Sequence, residues 1–298
     1  MTAPLLLALP GNEELTEALS KRTPGEVGRL ETHAFPDRET YLRLPDGLTG
    51  RSIVLVSSLA NPDAKFLPLL FAARTARDLG ASRIGLVAPY LCYMRQDKRF
   101  QPGEAITSRY FAELVSRNFD WLVTLDPHLH RYKSLDEIYS IPARTLHAAP
   151  LLGDWIRHHV PHPFLIGPDA ESLQWVSTVA RICGAPYCVL HKERLGDRDV
   201  RIAPDGLKPL GPATPVLIDD VISSGKTMQE AIRIIASFSD RRPVVVAVHG
   251  IFAGHADAML EREGARLVTT NSIPHASNQI DVSPLLAPAV AQLAAAET

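Results

Sequence analysis

Cysteine is nearly missing: the 298 residues hold three, Cys92, Cys183 and Cys188, and no CxxC pair. So few thiols argue against a disulfide framework and against a structural zinc site. Buried thiols are the expected state. An excess of one charge is lacking too. Thirty-one Lys and Arg face 33 Asp and Glu, a formal net charge of -2. The chain as a whole is therefore not a nucleic-acid binder, although a local basic site for a small polyanion is compatible with it. No apolar run is long enough to span a bilayer. The apolar start, residues 1–10, has no basic segment ahead of it and reads as a first buried strand rather than a signal peptide. A cytoplasmic location is expected. Low-complexity linkers and long charge runs are also missing.

What is present is alternation. Short runs rich in Val, Ile and Leu at 5–9, 53–57, 84–88, 121–125, 164–167, 187–191, 216–218, 244–248 and 267–269 lack strict polar alternation, as strands covered on both faces do. Amphipathic stretches at 64–79, 108–117, 171–183 and 227–237 lie between them. Such β-α-β order predicts an α/β fold with mostly parallel, doubly wound sheets. The halves are weakly alike: strand 53–57, loop, helix 64–79 and strand 84–88 match strand 216–218, loop, helix 227–237 and strand 244–248. A repeated unit predicts two related domains, 1–145 and 146–298, with a break near 141–150 where Pro142 and Pro150 flank a short segment. The Ala-rich tail after Asn278 predicts a terminal helix that can pack back on the first domain.

The densest segment is Val216-Leu217-Ile218-Asp219-Asp220-Val221-Ile222-Ser223-Ser224-Gly225-Lys226-Thr227. A strand ends in two carboxylates, a loop of small residues follows, and a helix begins. Loop amides and a helix N-terminus aimed into one concavity favour a phosphate dianion. Ser223, Ser224 and Thr227 add hydroxyl donors, and Gly225 lets the backbone approach the ligand. Asp219 and Asp220 sit where open α/β sheets place ligands and can accept from ribose hydroxyls. Gly225-Lys226-Thr227 is also the end of a Walker A loop, but that motif needs glycine where Asp220 stands. A carboxylate there would repel a triphosphate.

This segment resembles the 5-phosphoribosyl 1-pyrophosphate (PRPP) motif of phosphoribosyltransferase-type domains. Base phosphoribosyltransferases and PRPP synthetases share it, so alone it does not choose between them. Further segments resemble the ribose-phosphate pyrophosphokinase (PRPP synthetase) family in order and spacing. Phe35-Pro36-Asp37-Arg38-Glu39 looks like its FPDGE-type nucleotide segment, with Arg38 in place of the usual glycine. Pro89-Tyr90-Leu91-Cys92-Tyr93-Met94-Arg95-Gln96-Asp97 resembles its PYxxYxRQD segment. Leu125-Asp126-Pro127-His128 and Gly167-Pro168-Asp169-Ala170-Glu171-Ser172 follow strands as the family's metal-binding segments do; Glu171-Ser172 replaces the common Gly-Gly pair and looks like the archaeal-type branch. His191-Lys192-Glu193-Arg194 resembles the catalytic loop.

The resemblance implies two phosphoribosyltransferase-type domains and ribose-phosphate diphosphokinase activity. ATP would meet Phe35, Asp37, Glu39, Arg95, Gln96 and Asp97. Mg²⁺ would be held by His128, Asp169 and Asp126, with His130 a competing ligand. Ribose 5-phosphate would bind Arg194, Asp219, Asp220 and the loop Ser223, Ser224, Gly225, Lys226 and Thr227. Lys192 and Arg194 would be catalytic, with Glu193 turned away by strand alternation. The implied partners are these substrates and further copies of the chain, with no nucleic acid and no membrane. Two rivals stay in play: a base phosphoribosyltransferase, which leaves residues 35–39 and 95–97 idle, and a non-catalytic regulatory relative, which should have lost site residues that this chain keeps.

Overall fold

The apolar runs assemble two six-stranded sheets in which every recorded pairing is parallel. The computed structural model describes residues 3–194, 200–203 and 209–296, with side chains over 3–190 and 209–296. It divides into two units. The first runs through Leu146 and includes β1 (Leu5–Ala8), α1 (Glu13–Ser20), β2 (Glu26–Gly28), β3 (Glu31–Ala34), β4 (Thr40–Arg43), β5 (Ser52–Val56), α2 (Asp63–Asp78), β6 (Arg83–Ala88), α3 (Thr107–Asn118), β7 (Trp121–Leu125) and β8 (Ala143–Leu146). The second, His147–Asn271 with His275–Asp281, includes α4 (Ala149–His159), β9 (Pro163–Gly167), α5 (Leu173–Cys183), β10 (Tyr187–Val189), β11 (His191–Arg194), β12 (Val200–Ala203), β13 (Thr214–Ile222), α6 (Lys226–Ile235), β14 (Val244–Gly250), α7 (Ala256–Arg262), β15 (Arg266–Thr270) and β16 (Asn278–Ile280). The last helix, α8 (Ser283–Ala295), belongs to the first unit, where it meets α1, β6 and β7.

The strand orders, β2-β1-β5-β6-β7-β8 and β10-β9-β13-β14-β15-β16, correspond strand for strand. In each, the winding reverses between the second and third strands, β1 and β5 or β9 and β13. That reversal opens a crevice at the strands' C-terminal ends, the usual ligand position in such sheets. Burial on both faces explains the unbroken apolar runs: β7 is buried throughout, as is β14. Gly85 on β6 pairs with Trp121 on β7, and a Cβ there would come within 2.0 Å of the indole, so only glycine fits. The helices cover the sheets with one apolar stripe each, such as Met228, Ala231, Ile232 and Ile235 on α6, at helical spacing.

Three local features differ from the sequence reading. First, β13 does not stop at Ile218 but continues through both carboxylates to Ile222, because its pairing with β14 runs on to Gly250. Second, the run 187–191 is divided: β10 ends at Val189, and β11 starts a separate antiparallel hairpin with β12. Third, β3 and β4 form a second antiparallel hairpin with a largely exposed first strand, so no apolar run announces it.

Candidate active site

The crevice of the second unit gathers the acids. Asp169 leaves β9, and its Oδ1 accepts from the amides of Glu171 (3.1 Å) and Ser172 (3.3 Å), capping the turn before α5. Asp219 and Asp220 lie half-buried near the C-terminal end of β13. Asp219 Oδ1 accepts from the Asp220 amide at 3.0 Å. Burial first, then the neighbouring carboxylates of Asp220 and Asp169, hold the Asp219 carboxyl well above its usual range. A carboxyl whose ionisation two neighbouring acids oppose makes a site suited to hydroxyl donors or to a hard cation.

The loop beyond them is open to anions. Gly225 caps α6 in the left-handed region (φ 69°) with no side-chain cap bond, and a Cβ there would crowd Met259 and Ala256 of α7. Among the described residues the N–H groups of Ser223, Ser224 and Gly225 donate to no partner, and those of Lys226 and Thr227 begin a helix, where none has an intrahelical acceptor. The loop is fixed through its carbonyls instead: Ile222 O accepts from Ile251 and Phe252, and Ser223 O from Ala253. The first turn of α6 carries no acid, so its positive end stays uncompensated. A cavity of about 580 Å³ lined by Ile235, Arg242, Pro243 and Gly264 lies at the other end of β14 and β15 and shares no residue with this loop.

In the first unit the loops after the adjacent strands β6 and β7 leave the same sheet end, and the Leu125 amide donates to Pro89 O at 3.3 Å. Arg95 is exposed and Gln96 half-buried. Asp97 has a fully buried side chain, with Oδ1 2.8 Å from Nη1 of Arg131. The Tyr132 hydroxyl donates to Asp97 O at 3.2 Å and lies 3.1 Å from Ser108 Oγ, which ties the two loops together. Asp126 has φ 32° and Tyr93 φ 59°, backbone conformations that a non-glycine residue adopts at some cost. His128 is half-buried, and the exposed His130 stands edge-on to it at 4.2 Å.

Phe35, Asp37 and Glu39 occupy the β3–β4 turn. Phe35 donates to Glu39 O, Arg38 donates to Phe35 O, and Asp37 Oδ1 accepts from the Glu39 amide. Arg38, where the family pattern has glycine, takes the left-handed conformation (φ 73°). Phe35 is exposed and packs edge-on to His33 and Tyr41. Lys192 and Arg194 lie on β11 opposite Ile202 and Val200; their side chains fall outside the described residues. Arg131 was not singled out by sequence. Its only signal is a position three residues past His128 in a loop that also holds Tyr132.

Comparison with known proteins gives a consistent picture. Residues 5–118 match the N-terminal domain of ribose phosphate pyrophosphokinase, and residues 134–285 match the phosphoribosyl transferase domain. The ribose-phosphate pyrophosphokinase of Methanopyrus kandleri is 33% identical over 97% of this chain and 99% of its own length. That of Sulfurisphaera tokodaii is 33% identical over 92% and 95%. The phosphoribosylpyrophosphate synthetase structure from Mycobacterium smegmatis superposes with a TM-score of 0.81 over 98% of both chains at 22% identity, which establishes the shared fold.

Proposed function

From the premise that this chain belongs to the ribose-phosphate pyrophosphokinase family, we propose how its two units divide the reaction. The activity is ribose-phosphate diphosphokinase: the anomeric hydroxyl of ribose 5-phosphate takes the pyrophosphoryl group of ATP, giving PRPP and AMP. The second unit seats ribose 5-phosphate. Its 5-phosphate accepts from the loop amides and from the hydroxyls of Ser223, Ser224 and Thr227, and its 2- and 3-hydroxyls donate to Asp219 and Asp220. The observation that carries this reading is the run of N–H groups at Ser223–Gly225 that have no acceptor among the described residues, beside a close acid pair.

The first unit serves ATP. Phe35, exposed on its hairpin, stacks on adenine, while Asp37 and Glu39 accept from its amino group. Arg95 and Gln96 meet the phosphates. Asp169 suits Mg²⁺, which takes one or two carboxylates and completes its shell with water and substrate phosphates. Of its carboxylate oxygens only Oδ1 is engaged among the described residues. His128 and Asp126 join it by the family pattern. No group of three His, Cys, Asp or Glu among the described residues is arranged to hold a metal alone. When bound, Mg²⁺ neutralises phosphate charge. Lys192 and Arg194 stabilise charge developing on the transferred group and the leaving oxygen. Positioning does the rest, since attack on phosphorus needs no covalent intermediate.

We also propose a homo-oligomer acting in the cytoplasm. Leu67 and Phe71 on α2 and Tyr110 and Leu114 on α3 are exposed apolar side chains that a second copy can cover. Among the described residues no helix is long and apolar enough to cross a membrane. Incubation with ATP, Mg²⁺ and ribose 5-phosphate tests the activity: AMP and PRPP should appear in equal amounts. Consumption of PRPP with a free base and no use of ATP would return the base phosphoribosyltransferase reading.

A further inference from the structure

Arg131 lies outside every segment that carries the family resemblance, yet its surroundings are built around it. The Asp97 side chain is 0% exposed, and its Oδ1 meets Arg131 Nη1 at 2.8 Å. Its Oδ2 has no hydrogen-bond partner among the described residues. A carboxylate so deep cannot accept from a nucleotide arriving from solvent. Its negative charge requires a cation, and Arg131 is the one supplied. Arg131 is itself 45% exposed on its side chain, and Asp97 is its only hydrogen-bond partner among the described residues. Four of its five N–H groups are thus left for another acceptor.

A second contact fixes the guanidinium. Phe100 is 57% exposed, and Arg131 Cζ stands 5.2 Å from its ring centroid while Lys98 Nζ stands 4.8 Å from the same centroid. Two cations on one exposed ring repel each other, and nearby Arg95 and Arg99 are exposed as well. The acids in this stretch offset them only in part: Asp97 pairs with Arg131, and Glu104, one oxygen of which accepts from the amides of Phe100 and Gln101, is the other acid, so cations remain in excess. Tyr132, bonded to Asp97 O and Ser108 Oγ, anchors the chain next to Arg131. An oriented planar fork at the edge of a loop with excess cations matches phosphate oxygens.

We propose that Arg131 binds the phosphate chain of ATP, and that Asp97 is the positioning residue that aims it through the Arg131–Asp97 pair beside Phe100. The proposal rests on the diphosphokinase activity stated above. It gives Asp97 an indirect role in place of direct contact with nucleotide.

Steady-state kinetics and nucleotide binding by the full chain test it with Arg131→Gln, Arg131→Lys, Asp97→Asn and the Gln/Asn double variant. Arg131→Gln should raise the KM for ATP about 10- to 100-fold, the range of one charge-assisted hydrogen bond, with the KM for ribose 5-phosphate changed less than about twofold. Affinity for ATP should fall more than affinity for AMP. Arg131→Lys keeps the charge but not the fork and should raise the KM for ATP about threefold. Asp97→Asn should shift the KM for ATP in the same direction, and the double variant should be no worse than Arg131→Gln alone, because Asp97 acts through Arg131. A wild-type KM for ATP in folded Arg131→Gln would reduce Arg131 to a tether between loops and overturn the proposal. If that variant does not fold, an unchanged KM in Arg131→Lys overturns it equally. Failure of the wild-type chain to form PRPP would instead refute the activity on which the proposal rests.

Discussion

The loops after β5 and β13 hold the same place in their sheets, at the reversal of strand order, yet their chemistry is opposite. In the first unit the crevice is filled from within. The Ser57 amide donates to Val87 O, the Ser58 amide to Oδ1 of buried Asn12 at 2.7 Å, and the Leu59 amide to Tyr90 O. Asp63 stands in the first turn of α2 and answers its dipole. In the second unit the corresponding donors have no partner among the described residues, α6 begins with Lys226 and Thr227, and three carboxylates crowd the crevice. One topology therefore yields a closed structural turn and a loop whose N–H groups are left over for the anion proposed above. The difference lies in whether the loop's own N–H groups have partners, which fold alone does not decide.

The largest expected effect separates chemistry from either loop. Lys192→Ala should lower kcat about 10²–10³-fold, as loss of a donor that acts mainly in the transition state does, with both KM values nearly unchanged. A variant with near-normal kcat would remove Lys192 from the mechanism. Next comes a matched pair of double variants. Asp219→Asn with Asp220→Asn should reduce kcat/KM for ribose 5-phosphate about a hundredfold, since two hydrogen bonds to charged acceptors are lost. Ser57→Ala with Ser58→Ala should leave it within about threefold, because among the described residues those buried hydroxyls have no partner to lose. Equal losses in both pairs would erase the distinction between the loops.

Smaller still is the effect of Lys226, which is exposed at the start of α6. Its charge opposes the dipole in the empty loop and attracts a bound dianion. Lys226→Ala should raise the KM for ribose 5-phosphate several-fold, leave kcat close to unchanged and slightly raise unliganded stability. An unchanged KM at low ionic strength, where the attraction is largest, would show that the side chain is directed into solvent.

The smallest effects are on stability, and they should have opposite signs in the two crevices. Asn12→Ala strands the Ser58 amide and should lower Tm. Asp219→Asn should raise it at neutral pH. The folded carboxyl binds its proton more tightly than the ordinary value of 3.8, so the native state loses stability as pH rises from that value through the folded pKa. The asparagine removes that loss. Its advantage, roughly 2–4 °C per ~1 kcal/mol in a domain of this size, should be full above the folded pKa and vanish as pH falls below about 4. Melting curves across that range would check it, and an advantage that grows on acidification would refute it.

Much of this arrangement was legible in the residues. Runs such as 121–125 read as strands because burial on both faces leaves them wholly apolar, and the structure places β7 at those bounds. The loop Ser223–Thr227 was legible because small residues, hydroxyls and a following helix occur together. Other features depend on partners distant in sequence. The continuation of β13 through Asp219 and Asp220 follows from β14 beside it, while locally two carboxylates look like a strand's end. The β3–β4 hairpin is mostly polar and exposed, so no periodicity marks it. The pairing of Asp97 with Arg131 joins residues 34 positions apart, which no local pattern marks. Pro150, which flanks the segment read as the boundary, stands at the start of α4, where a helix accepts proline.

The most direct test of the account follows phosphorus resonances of the full chain with ATP, Mg²⁺ and ribose 5-phosphate, comparing wild type with Gly225→Val. A β-branched side chain at a φ of 69°, facing Met259 and Ala256, cannot keep the loop's conformation. Wild type should convert ATP into equal amounts of AMP and PRPP, while the variant should lose ribose 5-phosphate turnover and keep binding ATP. Equal turnover by the folded variant would contradict the assignment of the 5-phosphate to the loop after β13.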